Sequence, residues 1–85
     1  MKIDIRYFAS LRETVGVSNE TLILPPEVVT VGGLREFLRS RGDTWQAALE
    51  PRRALRMACN LQMCDASAAL SDGCEIAFFP PVTGG

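Results

Sequence analysis

Polar and apolar residues alternate in two short segments close to the two ends of the chain, at positions 2–8 and 74–79. Alternation with a period of two predicts β-strands that each bury one face. The apolar positions on the buried faces are Ile3, Ile5, Tyr7, Ile76 and Phe78. The same alternation places Phe8 and Phe79 on the opposite, mainly polar faces. Both strands therefore need another element of the chain to cover their apolar faces.

One amphipathic segment between the two strands can provide that cover. Its apolar positions follow helical spacing and are Val31, Leu34, Phe37 and Leu38. Thr30 is typical of a helix N-cap, and two arginines before Gly42 suit the negative end of a helix dipole. Gly32 and Gly33 weaken the first turn by up to about 1 kcal/mol each relative to alanine. Without a GxGxxG context, these two glycines do not indicate a phosphate site.

Weaker signals predict the remaining elements. Ser10 and Glu13 have the spacing of a capping box, which predicts a short helix that ends near Gly16. The other predicted elements are a strand at 20–24, a short helix that starts at Asp43 and stops at Pro51, and strands at 55–59 and 61–64. Trp45 in the second short helix is predicted to pack in the core.

This order of elements predicts an α+β fold in which a mixed sheet packs on one main helix. It is the order of a ubiquitin-like β-grasp domain, which we place at residues 1–79. Residues 80–85 are predicted to form an extended, flexible C-terminal tail, because Pro80 and Pro81 favour extended backbone and lack amide donors. No internal repeat or linker divides the chain.

Composition excludes several classes of function. The net charge is −1, which does not favour binding to nucleic acid or to anionic membranes. The N-terminal segment does not resemble a signal peptide and no apolar run could span a bilayer, so we expect a cytoplasmic protein. The chain has no His and no P-loop motif, which excludes His-dependent catalysis and nucleotide binding of that type.

The three cysteines, Cys59, Cys64 and Cys74, are odd in number and lack CxxC spacing. They predict neither a disulfide framework nor a zinc site. We expect reduced, partly buried thiols and no metal bound by this chain.

The tail carries the strongest chemical signal. Gly84 and Gly85 have no side chain, so they can enter a narrow channel and leave a terminal carboxylate open to activation. A carboxylate is a poor electrophile at neutral pH, so another protein must supply the nucleotide and metal that activate it. A Gly-Gly end is also common in frayed termini, and the residues before it decide between these interpretations.

Residues 72–85 contain Asp-Gly followed by EIAFFPPVTGG. This stretch closely resembles the C-terminus of the small subunits of molybdopterin synthase. The resemblance extends through positions 7–13, Thr30 with Val31, Leu34 with Arg35, and Asn60. It covers essentially the whole chain and implies a β-grasp sulfur carrier that is related to the ThiS-type thiazole carriers.

The resemblance implies that Gly85, preceded by Gly84, is the reactive residue. An adenylating enzyme would use ATP and Mg²⁺ to form an acyl-adenylate (AMP) at Gly85, and a sulfurtransferase would help to convert it to a thiocarboxylate. The carrier would then bind the synthase large subunit in a heterotetramer and donate sulfur to cyclic pyranopterin monophosphate, which forms the dithiolene of molybdopterin. The catalytic residues are expected on the large subunit, and no cofactor on this chain.

The resemblance and the alternation of polar and apolar residues together imply a partner-binding surface. Large apolar side chains on polar faces often mark such a site, which favours Phe8 and Phe79, with Met63 beside them. The tail residues Pro80, Pro81, Val82 and Thr83 complete the predicted partner-binding set.

Three alternatives stay open at the level of the sequence. A carrier for thiazole synthesis or tRNA thiolation would use the same tail with a different acceptor. A ubiquitin-like protein modifier would join Gly85 to lysines of target proteins. A β-grasp interaction module with an inert tail would depend on Phe8, Met63 and Phe79 and not on Gly85.

Overall fold

The computed structural model describes residues 1–81, and Val82, Thr83, Gly84 and Gly85 lie outside the described residues. The described elements in chain order are β1 (Lys2–Tyr7), α1 (Ala9–Val15), β2 (Asn19–Ile23), α2 (Val31–Arg39), α3 (Asp43–Ala48), β3 (Arg56–Cys59), β4 (Gln62–Cys64) and β5 (Glu75–Phe79). Each predicted strand and helix is present, with ends shifted by one or two residues.

The strands form one sheet in the order β2-β1-β5-β3-β4. The two end strands of the sequence, β1 and β5, lie side by side at its centre and run parallel, with Tyr7 opposite Phe78. All other neighbouring strands are antiparallel. The chain crosses from β2 to β3 through α2 and α3. This architecture is the predicted ubiquitin-like β-grasp fold.

The core lies between one face of the sheet and the helices. The alternating residues of β1 and β5 are nearly inaccessible to solvent, as are the apolar positions of α2. The largest side chains in this core are Tyr7, Phe78, Ile3, Ile5, Leu34, Leu38, Leu49 and Ile76. Trp45 packs against this core from its edge, with its ring 5.5 Å from the ring of Tyr7. The predicted buried faces of both end strands are thus confirmed.

Close packing at the start of α2 accounts for Gly32, the first of the two glycines in its first turn. A Cβ atom on Gly32 would lie 3.0 Å from the Cβ and the carbonyl oxygen of Ala66, so a larger residue would require Ala66 to shift by a few tenths of an ångström. The amides of Val31 and Gly32 donate to the carbonyls of Ala68 and Ala66. The Thr30 hydroxyl accepts from the amide of Gly33 at 3.0 Å, which confirms it as the N-cap. These amides of the first turn are therefore already satisfied.

The start of α1 differs from the prediction. The N-cap is Phe8, and no side chain caps this helix. Ser10 already lies inside the first turn, so the predicted capping box with Glu13 is wrong. The Phe8 amide donates to the Phe78 carbonyl. This bond holds Phe8 against β5, and α1 begins at the next residue, Ala9. The predicted end at Gly16 is confirmed, where the backbone is left-handed with φ of 85°.

One polar network ties β1 and β2 to the end of α2. The Tyr7 hydroxyl donates to Glu20 at 2.7 Å, and both guanidinium NH groups of Arg41 reach the same carboxylate. Arg41 also lies over the Trp45 ring, 4.2 Å from its centroid. Partial burial works against ionised Glu20, but the hydrogen bonds from Arg41 and Tyr7 lower its pKa overall.

No helix in the described part of the chain is long and apolar enough to cross a membrane.

Candidate functional site

The face of the sheet that turns away from the helices, here called the open face, has two halves with different chemistry. Its polar half, on β1, β2 and the start of β5, contains Asp4, Arg6, Thr21 and Glu75, with the exposed Ile23 at the end of β2 as its one large apolar residue. Its apolar patch, on β3, β4, the end of β5 and the residue after β1, consists of Phe8, Ala58, Met63, Ala77 and Phe79. The candidate site is the apolar patch together with the tail that follows it.

The register brings the three predicted aromatic and methionine residues into one region. Met63 is opposite Ala58, and Ala58 is opposite Ala77, which is two residues before Phe79. Phe8 meets Phe79 edge to face, with 6.4 Å between ring centroids and 87° between ring planes. Met63 is 58% exposed and Phe8 is 43% exposed.

Phe79 differs from the expectation of a freely exposed side chain. It is half-buried, because the Phe8 ring packs against it. The face around it is also less polar than alternation alone suggested, since Ala58 and Ala77 occupy its centre. Ala58 is 9% exposed although it is absent from the core cluster. The two alanines therefore form the centre of the patch, and the larger side chains of Met63, Phe8 and Phe79 lie around them.

Sequence reasoning missed one exposed apolar residue at the tip of the β3–β4 hairpin. Asn60 and Leu61 both have left-handed backbone, with φ of 49° and 69°, as a two-residue hairpin turn requires. Asn60 suits that turn, and its side-chain oxygen accepts from the Glu75 amide at 2.9 Å. Leu61 is 89% exposed and is unusual at positive φ. An Asn followed by a bulky residue between two short strands is the signal that could have identified it.

The tail leaves the sheet beside the apolar patch. Pro80 and Pro81, here called the tail root, directly follow Phe79 at the end of β5 and are both half-buried. The predicted site residues Val82, Thr83, Gly84 and Gly85 lie outside the described residues. Their proposed roles therefore rest on sequence.

The sheet register places one arginine, Arg56, beside the tail root. Arg56 is opposite Phe79 on the open face, Arg53 lies three residues earlier, and Arg12 lies on α1, whose N-cap is Phe8. Within residues 1–81, none of these three forms an ion pair with a carboxylate. By contrast, Arg6 on the polar half is 2.9 Å from Glu75. Arg56 therefore places one positive charge at the edge of the apolar patch.

The cysteines lie on the core side of the sheet, as free thiols. Cys74 is buried, and Cys59 and Cys64 are half-buried, which confirms the predicted partial burial. Desolvation raises the pKa of both Cys59 and Cys64, so these thiols are protonated at neutral pH. No group of three or more potential metal ligands occurs among the described residues.

Comparison with known proteins agrees with this arrangement. The ThiS family model matches residues 5–85. The chain belongs to the ThiS family. It is 40% identical to the molybdopterin synthase sulfur carrier subunit of Haemophilus influenzae, and the match covers 98% of this chain and 99% of the relative. It is 39% identical to the protein of the same name from Escherichia coli, with the same coverage. The resemblance found in the sequence is confirmed.

A solved structure supports the fold. SAMP1 from Haloferax volcanii matches with a TM-score of 0.77 and 26% sequence identity, and the match covers 100% of both chains. The family, the fold and the tail sequence therefore agree.

Proposed function

We propose that this chain is the sulfur carrier subunit of a molybdopterin synthase and that the carboxyl group of Gly85 carries the sulfur. The observation that carries the proposal is the ending FFPPVTGG in a chain that belongs to the ThiS family. Relatives at 40% and 39% identity, matched over almost their whole length, bear that subunit's name. The fold places Pro80 and Pro81, the first two residues of the tail, directly after β5 and beside an apolar patch.

The chemistry of a carboxylate defines what other proteins must supply. Its carbonyl carbon accepts a nucleophile only after an oxygen has become a good leaving group. An adenylating enzyme would bind ATP and Mg²⁺ and join AMP to Gly85. A sulfurtransferase would then provide the sulfur that displaces AMP and leaves a thiocarboxylate. This chain contributes the reacting group and the surface that presents it.

The large subunit of the synthase is the proposed acceptor partner. The tail would enter its active site, where catalytic residues of that subunit move sulfur to cyclic pyranopterin monophosphate, in a complex with two copies of each subunit. Pro80, Pro81, Val82 and Thr83 would lie in the entrance channel. Phe8, Met63 and Phe79 would pack on the partner next to that entrance.

The physical basis for docking is the exposed apolar area beside the tail root. Met63 and Phe8 are exposed to water in the free chain. A partner that covers them gains about 25 cal/mol of binding free energy per Å² of apolar surface removed from water. Arg56 at the edge of the patch favours a partner with acidic side chains around its channel. An apolar centre with a charged rim is typical of protein interfaces.

A reconstituted synthase assay with a chain that lacks Gly85 tests the proposal. We expect no molybdopterin from this variant, with an unchanged thermal unfolding curve because the truncation removes no core residue. The matched control is Asn19→Glu, an exposed change on β2, which should keep full activity.

Product formation by the Gly85-deleted chain would contradict the proposal. Stable conjugates of the intact chain on lysines of other proteins, without molybdopterin formation, would favour the protein modifier instead.

A further inference from the structure

The tip of the β3–β4 hairpin has two features that are both unfavourable in a free chain. Leu61 is the most exposed large apolar residue among residues 1–81, at 89%. Its backbone is also left-handed, with φ of 69°, a conformation that is costly for a residue with a Cβ atom. Glycine would remove both costs, because it has no side chain and is favoured at this turn position. Neither solubility nor turn formation therefore explains a leucine here.

The hairpin that carries Leu61 forms an uncharged edge of the sheet. β4 lies at one edge of the five-stranded sheet, and β2 lies at the other. Soluble proteins commonly place charged side chains on exposed edge strands, which discourages association with other chains. The β2 edge carries Glu20, which pairs with Arg41. By contrast, residues 57–64 contain no charged residue. The β3–β4 edge therefore lacks the usual protection against association.

The apolar patch is too small to be the whole contact area of a stable complex. A stable protein interface buries about 800 Å² on each partner and involves about 20–30 residues on each side. The patch consists of Phe8, Met63 and Phe79 around two alanines. A partner that covers the patch must therefore cover neighbouring surface too. Apart from Ile23, the polar half offers groups that already have partners, whereas the hairpin tip offers exposed hydrocarbon.

We propose that Leu61 extends the docking surface from Met63 around the hairpin tip and packs into an apolar depression on the synthase large subunit. This inference rests on the proposed function, which makes that subunit the partner of the apolar patch. Leu61 directly precedes β4 and is two residues from Met63, so at most roughly 7 Å of backbone separates them. A protein that covers Met63 therefore also reaches the hairpin tip. In the complex, removal of the leucine side chain from water offsets the cost of its left-handed backbone.

Leu61→Gly is the test variant, because it should change stability and binding in opposite directions. Glycine relieves the left-handed backbone and gives the turn the Asn-Gly sequence that two-residue hairpins favour, so the unfolding temperature should rise by about 4 °C. Loss of the leucine contact should weaken binding to the large subunit by about ten-fold. Scanning calorimetry and titration calorimetry on the full chain measure the two effects. A residue that only shapes the turn would not combine them.

Two further variants are matched controls. Leu61→Met keeps a large apolar side chain at the same position, so it should bind the large subunit as tightly as the unmodified chain does. Ile23→Ser removes another exposed apolar side chain, 74% accessible, from the opposite edge of the sheet. It should leave the affinity unchanged. Sedimentation of the free chain measures whether a second copy covers Leu61 instead.

Three results would overturn the inference. The first is an unchanged affinity of Leu61→Gly for the large subunit. The second is an unfolding temperature of Leu61→Gly at or below that of the unmodified chain. The third is self-association of the unmodified chain that Leu61→Gly abolishes, since a second copy would then be the occupant. An unmodified chain that does not bind the large subunit at all would instead contradict the proposed function, and this inference with it.

Discussion

The two halves of the open face differ in whether their side chains have partners within this chain. In the polar half, Arg6 pairs with Glu75, and the Thr21 hydroxyl donates to Asp4 at 2.7 Å. Each of these groups has a partner within this chain. In the apolar patch, Met63 and Phe8 expose large side chains that no part of residues 1–81 covers. Apart from Ile23 at the end of β2, the polar half therefore has its partners within this chain, whereas the apolar patch does not.

This difference shows which half of the open face gives favourable binding free energy when a partner covers it. Covering the polar half would remove water from groups that already have hydrogen bonds, which gains little. Covering the apolar patch removes exposed hydrocarbon from water. Because the tail root adjoins the patch, a protein that binds the patch also lies next to the tail root. The predictions below test this division, from the largest expected effect to the smallest.

The adjacent residues Phe78 and Phe79 separate stability from binding. Phe78 is 0% exposed in the core, so Phe78→Ala should lower the free energy of unfolding by about 3–5 kcal/mol. Phe79→Ala lies on the open face and should cost about 1 kcal/mol while it weakens partner binding. Urea unfolding and calorimetric titration measure the two effects. Equal losses of stability would contradict the assignment of the two faces.

A charge placed in the patch should interfere with docking. Met63→Glu buries a carboxylate at the interface, and we expect binding to the large subunit to weaken by about 100-fold. The unfolding temperature should change little, because Met63 is 58% exposed. Asn19→Glu adds the same charge opposite Arg6 on β2 and serves as the control. Similar affinity losses in both variants would show that the patch is not the docking surface.

The Tyr7–Glu20–Arg41 network predicts a pH effect on stability. Since the folded state lowers the pKa of Glu20, the ionised group stabilises the fold above its unfolded pKa, and this contribution is lost as pH falls through the folded pKa. Glu20→Gln should therefore be less stable at pH 7 and show a flatter decline toward pH 3. Urea unfolding across this pH range measures both. Parallel curves for the two proteins would refute this role.

The surface pair on the polar half should contribute least. Arg6 and Glu75 are both accessible to solvent, so a double-mutant cycle to alanine should give a coupling below about 1 kcal/mol that falls with added salt. Affinity for the large subunit should not change. A marked loss of affinity would extend the docking surface into the polar half.

Local patterns predicted most of the fold because they report directly on burial. Alternation identified the buried faces of β1 and β5, and Thr30 marked the start of α2. The capping box at Ser10 failed because a long-range bond from the Phe8 amide to β5 fixed where α1 begins. Gly32 was unexplained for a similar reason, since its close neighbour Ala66 is distant in sequence.

The site was predictable in its residues and less so in its shape. Phe8, Met63 and Phe79 could be selected individually, but strand register is what gathers them. That register brings Phe8 into contact with Phe79. It also places Ala58 next to Ala77 at the centre of the patch. Leu61 was missed because a leucine at positive φ departs from turn preferences. The roles of Val82, Thr83, Gly84 and Gly85 stay predictions from sequence.

The most direct test of the central claim is the intact mass of this chain after incubation with Mg-ATP, the adenylating enzyme and a sulfur source. Replacement of one oxygen by sulfur adds about 16 Da, and tail proteolysis locates the change. We predict this gain on the C-terminal peptide that ends in Gly85. An unchanged mass, when the same enzymes modify a control carrier, would contradict the account.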